Sequence, residues 1–496
     1  MTEVRLNPLD AAWILTESRD APNHVGGLLQ FRLPEGAPKE FLRRLMHEFR
    51  GTHRFGPPWN RRLKKGLVAT ALPSWVEDTD IDLEYHVRHA ALPWPGGERE
   101  LGELVGRLQS TPIDLERPPW ECTIIEGLQG GRFALFVKMH HSLIDGISGM
   151  KLMQRTMPSD REASLKMPPF WAATAPSGKP RAALAVRSSR SVATPSLAQG
   201  LSTVVQAVGE QARTLPQLLG AFGKMVARIG DRNDGLALPF DSPLSVLNGR
   251  VRGKRRFATA QFEMSRLRQL ATAAGGTIND VVLALCAGAL RRYLMEREAL
   301  PDKSLTAGIP VSVRPQDDEG TGNAISFIVA RLATDEADPV KRLRLIQESV
   351  KHAKAHVQSL PRQAMTQYTV LLMAPTMLSI LSGAGGRVRP MFNVTISNVP
   401  GPEKPLYFRG AELLAIYPVS IATHGQALNI TCHSYAGKMN FGFTGCHSSV
   451  PHLQKLSLHA EDSLKELEEA LAHKAAAAPK ALPARKAPAR RRAATV

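Results

Sequence analysis

The run His140-His141-Ser142-Leu143-Ile144-Asp145-Gly146 collects the residue types best suited to acid–base chemistry in this chain. An imidazole, with an unperturbed pKa of ~6.5, suits a general base at neutral pH. His140 and His141 arrive together at the end of a strand, before the chain turns. His141 and Asp145 stand four positions apart, so on a turn or short helix they face one side. Asp145 can orient the local backbone, or bind a basic group and hold the loop, with Arg314 as a candidate partner. Gly146 permits a tight approach or a positive φ. A plainer reading makes the histidines strand-end polar residues and Asp145 a turn former. The full spacing favours chemistry, because its parts fit a general-base site. No G-x-S-x-G elbow is present, so no serine nucleophile is expected. Ser142 and Ser148 read as loop polar groups.

Other candidates are weaker. Asn279 and Asp280 open a predicted helix over 279–297, with Thr277 or Asn279 as its cap. Asn279 is a candidate donor to an oxyanion or a wall of the site, with Asp280 beside it as a candidate substrate contact; a plain N-cap competes with the reading of Asn279. Trp120 is a candidate substrate contact, and a core residue on the competing reading. His352 and His356 are spaced i, i+4, but Ala353 stands where a zinc-protease helix needs glutamate. They read as a solvated helix face. Gly383 to Gly386 fits neither nucleotide-binding glycine pattern. His424 stays unassigned.

The elements that must position the histidines are legible around them. Residues 121–128, a turn at Gly130 and Gly131, and residues 132–140 read as a β-hairpin ending at the histidines. Along its second strand Phe133, Leu135 and Val137 share one face, and Ala134, Phe136 and Lys138 the other. From about Met157 to Thr194 the chain is rich in Pro, Ser, Ala and Arg and reads as a linker. One apolar knot in it, Pro168 to Trp171, is suited to docking on a folded surface. Residues 197–229 show helical periodicity with few charges and a kink at Pro216; such a helix packs between domains or lies on a membrane interface. Strands are expected over 257–262 and 325–332, a late hairpin over 428–444, and a last helix over 452–474. The boundaries that follow are 1–157, 158–239, 240–473 and a basic tail, 474–496.

The length of 496 residues, 43% hydrophobic and 22% charged, allows several cored domains and excludes wholesale disorder. The tail from Lys474 carries seven basic residues and no acid, so eleven of the eighteen net positive charges sit on the body. A tail of this composition is expected to be disordered, and it would be drawn to anionic lipid at ~1 kcal/mol per basic residue. No aromatic-and-basic recognition motif accompanies it, so nucleic acid is not an expected partner. The four cysteines form no C-x-x-C pair, which fits a reducing cytoplasm and argues against a structural zinc site. No secretory leader is expected. The uncharged stretch 363–386 is interrupted by polar residues and Pro375, and reads as a buried or interfacial helix pair.

Taken together, the motifs resemble a known family. HHxxxDG is similar to the signature of CoA-dependent acyltransferases. Leu6 to Ala12, His24 to Gly27, Pro118-Pro119-Trp120, Leu247-Asn248-Gly249, Asn279-Asp280 and Asn398 to Pro402 narrow the resemblance to bacterial wax ester synthase/diacylglycerol acyltransferases. Pro119 stands where that family has leucine. The resemblance covers about residues 4 to 470. It implies an α/β (α+β) fold of two chloramphenicol-acetyltransferase-like domains, with mixed sheets covered by helices, joined by a long helical crossover. It implies a channel between the domains, and transfer of a fatty acyl group from acyl-CoA to a long-chain alcohol or a diacylglycerol. His141 would be the general base, with no acyl-enzyme. No cofactor and no metal is implied, since acyl-CoA is a substrate; Lys254, Arg255 and Arg256 are candidates for its phosphates. Attachment to a membrane or lipid-droplet surface on the cytoplasmic side is expected from the apolar acceptors. A condensation domain, a transferase for a more polar alcohol, and a non-catalytic lipid-binding protein are the alternatives.

Overall fold

Residues 132–140 are apolar on both faces, and a strand of that kind needs cover on both sides. A computed structural model provides it, describing residues 3–6, 8–64, 73–144, 146–173, 239–312, 325–358, 372–373 and 375–477. The first half runs β1 (Val4–Arg5), α1 (Pro8–Leu15), β2 (His24–Arg32), α2 (Phe41–Arg50), β3 (Arg61–Leu63), β4 (Ser74–Glu77), α3 (Leu83–His86), β5 (Val87–Ala91), α4 (Glu98–Ser110), β6 (Trp120–Leu128), β7 (Arg132–His140), α5 (Gly146–Gln154) and α6 (Arg161–Ser164). The second runs β8 (Arg255–Glu263), α7 (Met264–Ala273), α8 (Ile278–Met295), β9 (Thr306–Ser312), β10 (Ile325–Arg331), α9 (Pro339–Gln358), β11 (Val394–Val399), β12 (Tyr407–Phe408), β13 (Ala411–Val419), β14 (Leu428–Tyr435), β15 (Lys438–Cys446) and α10 (Lys455–Ala477).

Two six-stranded mixed sheets result, ordered β12-β13-β2-β7-β6-β5 and β10-β9-β11-β14-β15-β8. The hairpin β6–β7 forms where the alternation predicts it. Phe133, Leu135 and Val137 face one core and Ala134 and Phe136 the other. Helix α2 buries Leu42, Leu45, Met46 and Phe49, the one-sided stripe of a covering helix. Helix α8 is apolar all round, and its Val281, Val282, Leu285 and Leu290 are fully buried in the second core. No single described helix is long and apolar enough to cross a membrane; α7 and α8 together reach that composition but bend by 99°.

The sheets do not follow the chain boundaries read from sequence. β12 and β13 leave the second half and complete the first sheet, β13 pairing with β2 from Glu412↔Arg32 to Val419↔Gly26. Buried Tyr435 anchors this crossing, its hydroxyl accepting from Leu406 N at 2.7 Å and donating to Leu413 O at 2.9 Å. Helix α4 packs so closely on β8 that a Cβ on Gly102 would lie 2.8 Å from Phe257 O. The stretch 158–173 is folded rather than a linker: Phe170 and Trp171 pack against Trp59, Trp120 and Phe49 in the first core. The last helix continues past 473 to Ala477. The predicted helix 197–229, Arg314 and the tail beyond Ala477 lie outside the described residues.

Candidate active site

The site begins where β7 ends. Sheet register sets His140, the last residue of β7, opposite His24 of β2. His140 is completely buried. Its Nδ1 accepts from Ser142 N at 3.3 Å, and an amide N–H can only donate, so the proton sits on Nε2. Ser142 Oγ donates to the same Nδ1 at 2.6 Å, and Nε2–H points at the Glu17 carboxylate at 3.4 Å. Both ring nitrogens are therefore engaged in holding the loop.

His141 follows in the turn, half-buried, its backbone N–H donating to Asn23 O at 2.9 Å. Leu143 N closes the turn on His140 O at 3.0 Å. The His141 imidazole stacks on Trp13 of α1, centroids 4.3 Å apart and planes 30° from parallel. Asn23, which receives the His141 amide, is itself fixed. Its own N–H donates to Glu17 Oε2 at 2.5 Å, and its side chain donates to Trp13 O at 2.8 Å and Thr16 Oγ1 at 3.0 Å. One carboxylate oxygen of Glu17 thus serves both the His140 ring and the residue that holds His141. Helix α5 then packs tightly under the turn: a Cβ on Gly149 would meet Met139 Sδ at 2.6 Å.

Two buried groups brace the strands behind the histidines. His24 Nε2–H donates to Gln109 O at 2.8 Å; burial first, then the charge of Lys138, hold its pKa well below 6.5, so it is neutral. Lys138 is 1% exposed and pairs with Glu121 across the hairpin at 3.1 Å. Its ammonium also donates to Leu108 O at 3.1 Å and Thr111 O at 2.8 Å, at the C-terminal end of α4, where a cation is favoured. Burial lowers its pKa and Glu121 opposes the shift.

The second half reaches the site from below α5. Gln154, the last residue of α5, donates to His433 Nε2 at 3.3 Å, while His433 Nδ1–H donates to Val399 O at 3.0 Å. Burial keeps His433 below the usual histidine range. A Cβ on Gly401 would sit 2.2 Å from His433 Cε1, which explains the glycine in Asn398 to Pro402. In the loop bearing Leu247 to Gly249, Asn248 bonds Asn393 O at 3.0 Å and Gly425 O at 2.8 Å.

The sequence candidates fall out unevenly. His140 and His141 stand together as read. Asp145 lies outside the described residues, and Gly146 opens α5. Trp120 is fully buried, stacked on His86 and Trp171, with its Nε1–H on Trp59 O at 2.8 Å; its ring faces core on every side. Thr277, not Asn279, caps α8, and the Asp280 carboxylate completes the cap by accepting from Thr277 N at 2.8 Å. Asp280 is therefore engaged as a capping residue. Asn279 is half-buried in the same first turn, and among the described residues no hydrogen bond joins it to the histidine loop. Arg255 turns inward, 6% exposed, onto Asp20 O at 2.9 Å and Ala422 O at 3.0 Å, so it fastens the halves rather than meeting a phosphate. The four cysteines are unpaired and buried. Sequence reasoning missed Trp13, Glu17 and Asn23, and undervalued Ser142. Their one signal is a polar and aromatic cluster just before His24.

A family profile described as the wax ester synthase/diacylglycerol acyltransferase catalytic domain matches residues 6–282, and the family's C-terminal domain matches 321–468. The chain belongs to the wax ester synthase/diacylglycerol acyltransferase family. A putative diacylglycerol O-acyltransferase of Mycobacterium tuberculosis is 41% identical over 491 residues, covering 94% of this chain and 97% of that one. The O-acyltransferase WSD of Acinetobacter baylyi is 38% identical, with 94% and 97% covered. The solved wax ester synthase/diacylglycerol acyltransferase of Marinobacter aquaeolei superposes with a TM-score of 0.74 at 37% identity, over 95% of this chain and 100% of that one. A condensation domain of the calcium-dependent antibiotic synthetase superposes at 0.58 with 17% identity, over 95% and 96%, and shows the fold alone. This family member is thus an acyltransferase of the two-domain, chloramphenicol-acetyltransferase-like α/β fold.

Proposed function

We propose that this acyltransferase moves a long-chain acyl group from acyl-CoA to a fatty alcohol or a diacylglycerol, with His141 as general base. The observation that carries the reading is the placement of two adjacent histidines at the end of β7. His140 is buried and engaged at both nitrogens, and His141 follows it half-buried in the turn, positioned by its backbone bond to Asn23 and by its stack on Trp13. An alcohol is a poor nucleophile until its proton is removed, and a positioned base is worth ~10²–10⁴-fold. In the step proposed, His141 takes the hydroxyl proton as the alcohol oxygen bonds to the thioester carbonyl carbon. The tetrahedral intermediate collapses with cleavage of the C–S bond, and the proton passes to the CoA sulfur. The thioester is already activated, so no acyl-enzyme is needed.

Peripheral attachment to a lipid surface belongs to the same proposal, because both acceptors reside in lipid and the chain carries a formal charge of +18. The test is to supply palmitoyl-CoA alone, with hexadecanol, or with a diacylglycerol, and to follow free CoA and the lipid products. Ester formation with CoA release that depends on the acceptor supports the reading. A stoichiometric burst of CoA without acceptor would point to an acyl-enzyme instead, and silence with both acceptors would end the lipid reading.

A further inference from the structure

Scattered exposed leucines are ordinary, but a contiguous group rimmed mostly by one sign of charge is not. In the helical turn 375–381 and the loop after it, Leu378 is 64% exposed, Leu381 55% and Val388 49%. On the neighbouring loop Leu244 is 69% exposed and Val246 42%. The segments are joined: Arg250 Nη1 donates to Gly383 O at 2.7 Å, and a Cβ on Gly386 would meet Arg250 N at 2.6 Å. The cavity beneath, lined by Phe240, Thr376, Ser379, Val388, Arg389 and His424, is only ≈ 30 Å³, too small for a lipid chain, so these side chains present a surface and not a pocket.

The charge around this surface is mostly basic, although exposed Asp20 accepts from Gly253 N at 3.1 Å and Asp241, paired with Lys303, precedes the 244–254 loop. No acidic residue occurs from Ser242 to Phe262 or from Ser349 to Pro402. Arg250, Arg252, Lys254, Arg387 and Arg389 are all exposed there. The surface also adjoins the catalytic loop. His424 accepts from Val251 N at 3.2 Å, Arg255 binds both Ala422 O and Asp20 O, and Glu17, three residues before Asp20, faces His140.

We infer that the face made by residues 375–391 and 244–254 seats this enzyme on an anionic phospholipid layer. Leu378, Leu381 and Val388 enter the acyl region, and Arg250, Arg387 and Arg389 meet the lipid phosphates. The inference rests on the proposed lipid acceptor: docking there sets the leaflet that holds the acceptor against the loops that carry the histidines.

The experiment is sedimentation of the purified full chain with phosphatidylcholine vesicles, with and without phosphatidylglycerol, beside CoA release with a water-soluble short-chain alcohol. Arg387→Gln and Arg389→Gln should each lower binding to the anionic vesicles about fivefold and leave the neutral ones unaffected. Leu378→Glu with Leu381→Glu should lower binding to both by about tenfold or more. Turnover of the soluble alcohol should be unchanged in all, which shows that the variants fold. Undiminished binding by the leucine variant overturns the inference. So does loss of binding only when residues 478–496 are deleted, or a leucine variant whose sole change is dissociation of an oligomer in light scattering. A wild type that binds vesicles but turns over no acceptor refutes the proposed reaction and leaves the docking face standing.

Discussion

Glu17 fixes two histidine positions with one oxygen, accepting from the Asn23 amide and facing His140 Nε2. That bracing is worth more in geometry than in stability, since a displacement of about 1 Å can cost ~10²-fold in rate. Glu17→Ala is expected to lower kcat by ~10-fold or more with little change in KM, and Glu17→Gln, whose amide oxygen still accepts from Asn23, to recover much of the loss. Steady-state kinetics at saturating acyl-CoA decide it; an unchanged kcat in Glu17→Ala removes the carboxylate from the account. The histidines were legible because they are adjacent and of a distinctive type. Glu17 was not, because it lies 123 residues from His140 in sequence and only the pairing of β2 with β7 brings them together.

Among the elements, the hairpin β6–β7 was legible through its two-residue alternation and its Gly130-Gly131 turn. The late hairpin β14–β15 was legible in the same way. The start of α8 was legible to within a residue, but the choice of Thr277 as cap depends on a backbone conformation that two polar candidates could each have supplied. The excursion of β13 into the first sheet left no local signal, since a strand's own pattern does not name its partner. Tyr435 gives that excursion a test. Burial pushes its phenol up to about 12, so the hydroxyl stays protonated and bonded at both ends. Tyr435→Phe leaves the Leu406 N–H without its acceptor and should cost ~1–3 kcal/mol in urea unfolding. No change in midpoint would mean that the crossing is held by other contacts.

At the scale of the whole molecule, burial holds the pKa values of His24, His86 and His433 below the ordinary range, opposed at each by a hydrogen bond to a backbone carbonyl. All three are neutral in the fold, and in the unfolded chain they take up protons below about pH 6.5. The unfolded state then binds more protons than the native state, so stability is present above that pH and is lost as pH falls toward the folded pKa values. The slope reaches ~1.4 kcal/mol per pH unit for each histidine. The melting temperature should therefore be level above neutrality and fall on mild acidification, and His24→Asn should flatten the fall. A melting temperature independent of pH through this range contradicts the buried-neutral assignment. The cored, two-sheet character of the chain was legible from composition and periodicity, while the seam between the halves was not. Its makers, Gly102, Arg255 and Gln154, have no pattern of their own and act only through what lies opposite them.

The assignment of His141 as general base beside a fixed His140 is tested most directly by acceptor-dependent CoA release, compared among wild type, His141→Ala and Ser142→Ala, each checked for native melting. The account predicts near-complete loss for His141→Ala, of the ~10²–10⁴-fold expected for a missing base, with the fold intact. It predicts a partial loss for Ser142→Ala, which only loosens the neighbouring ring. Near-wild-type release from a folded His141→Ala protein would contradict it.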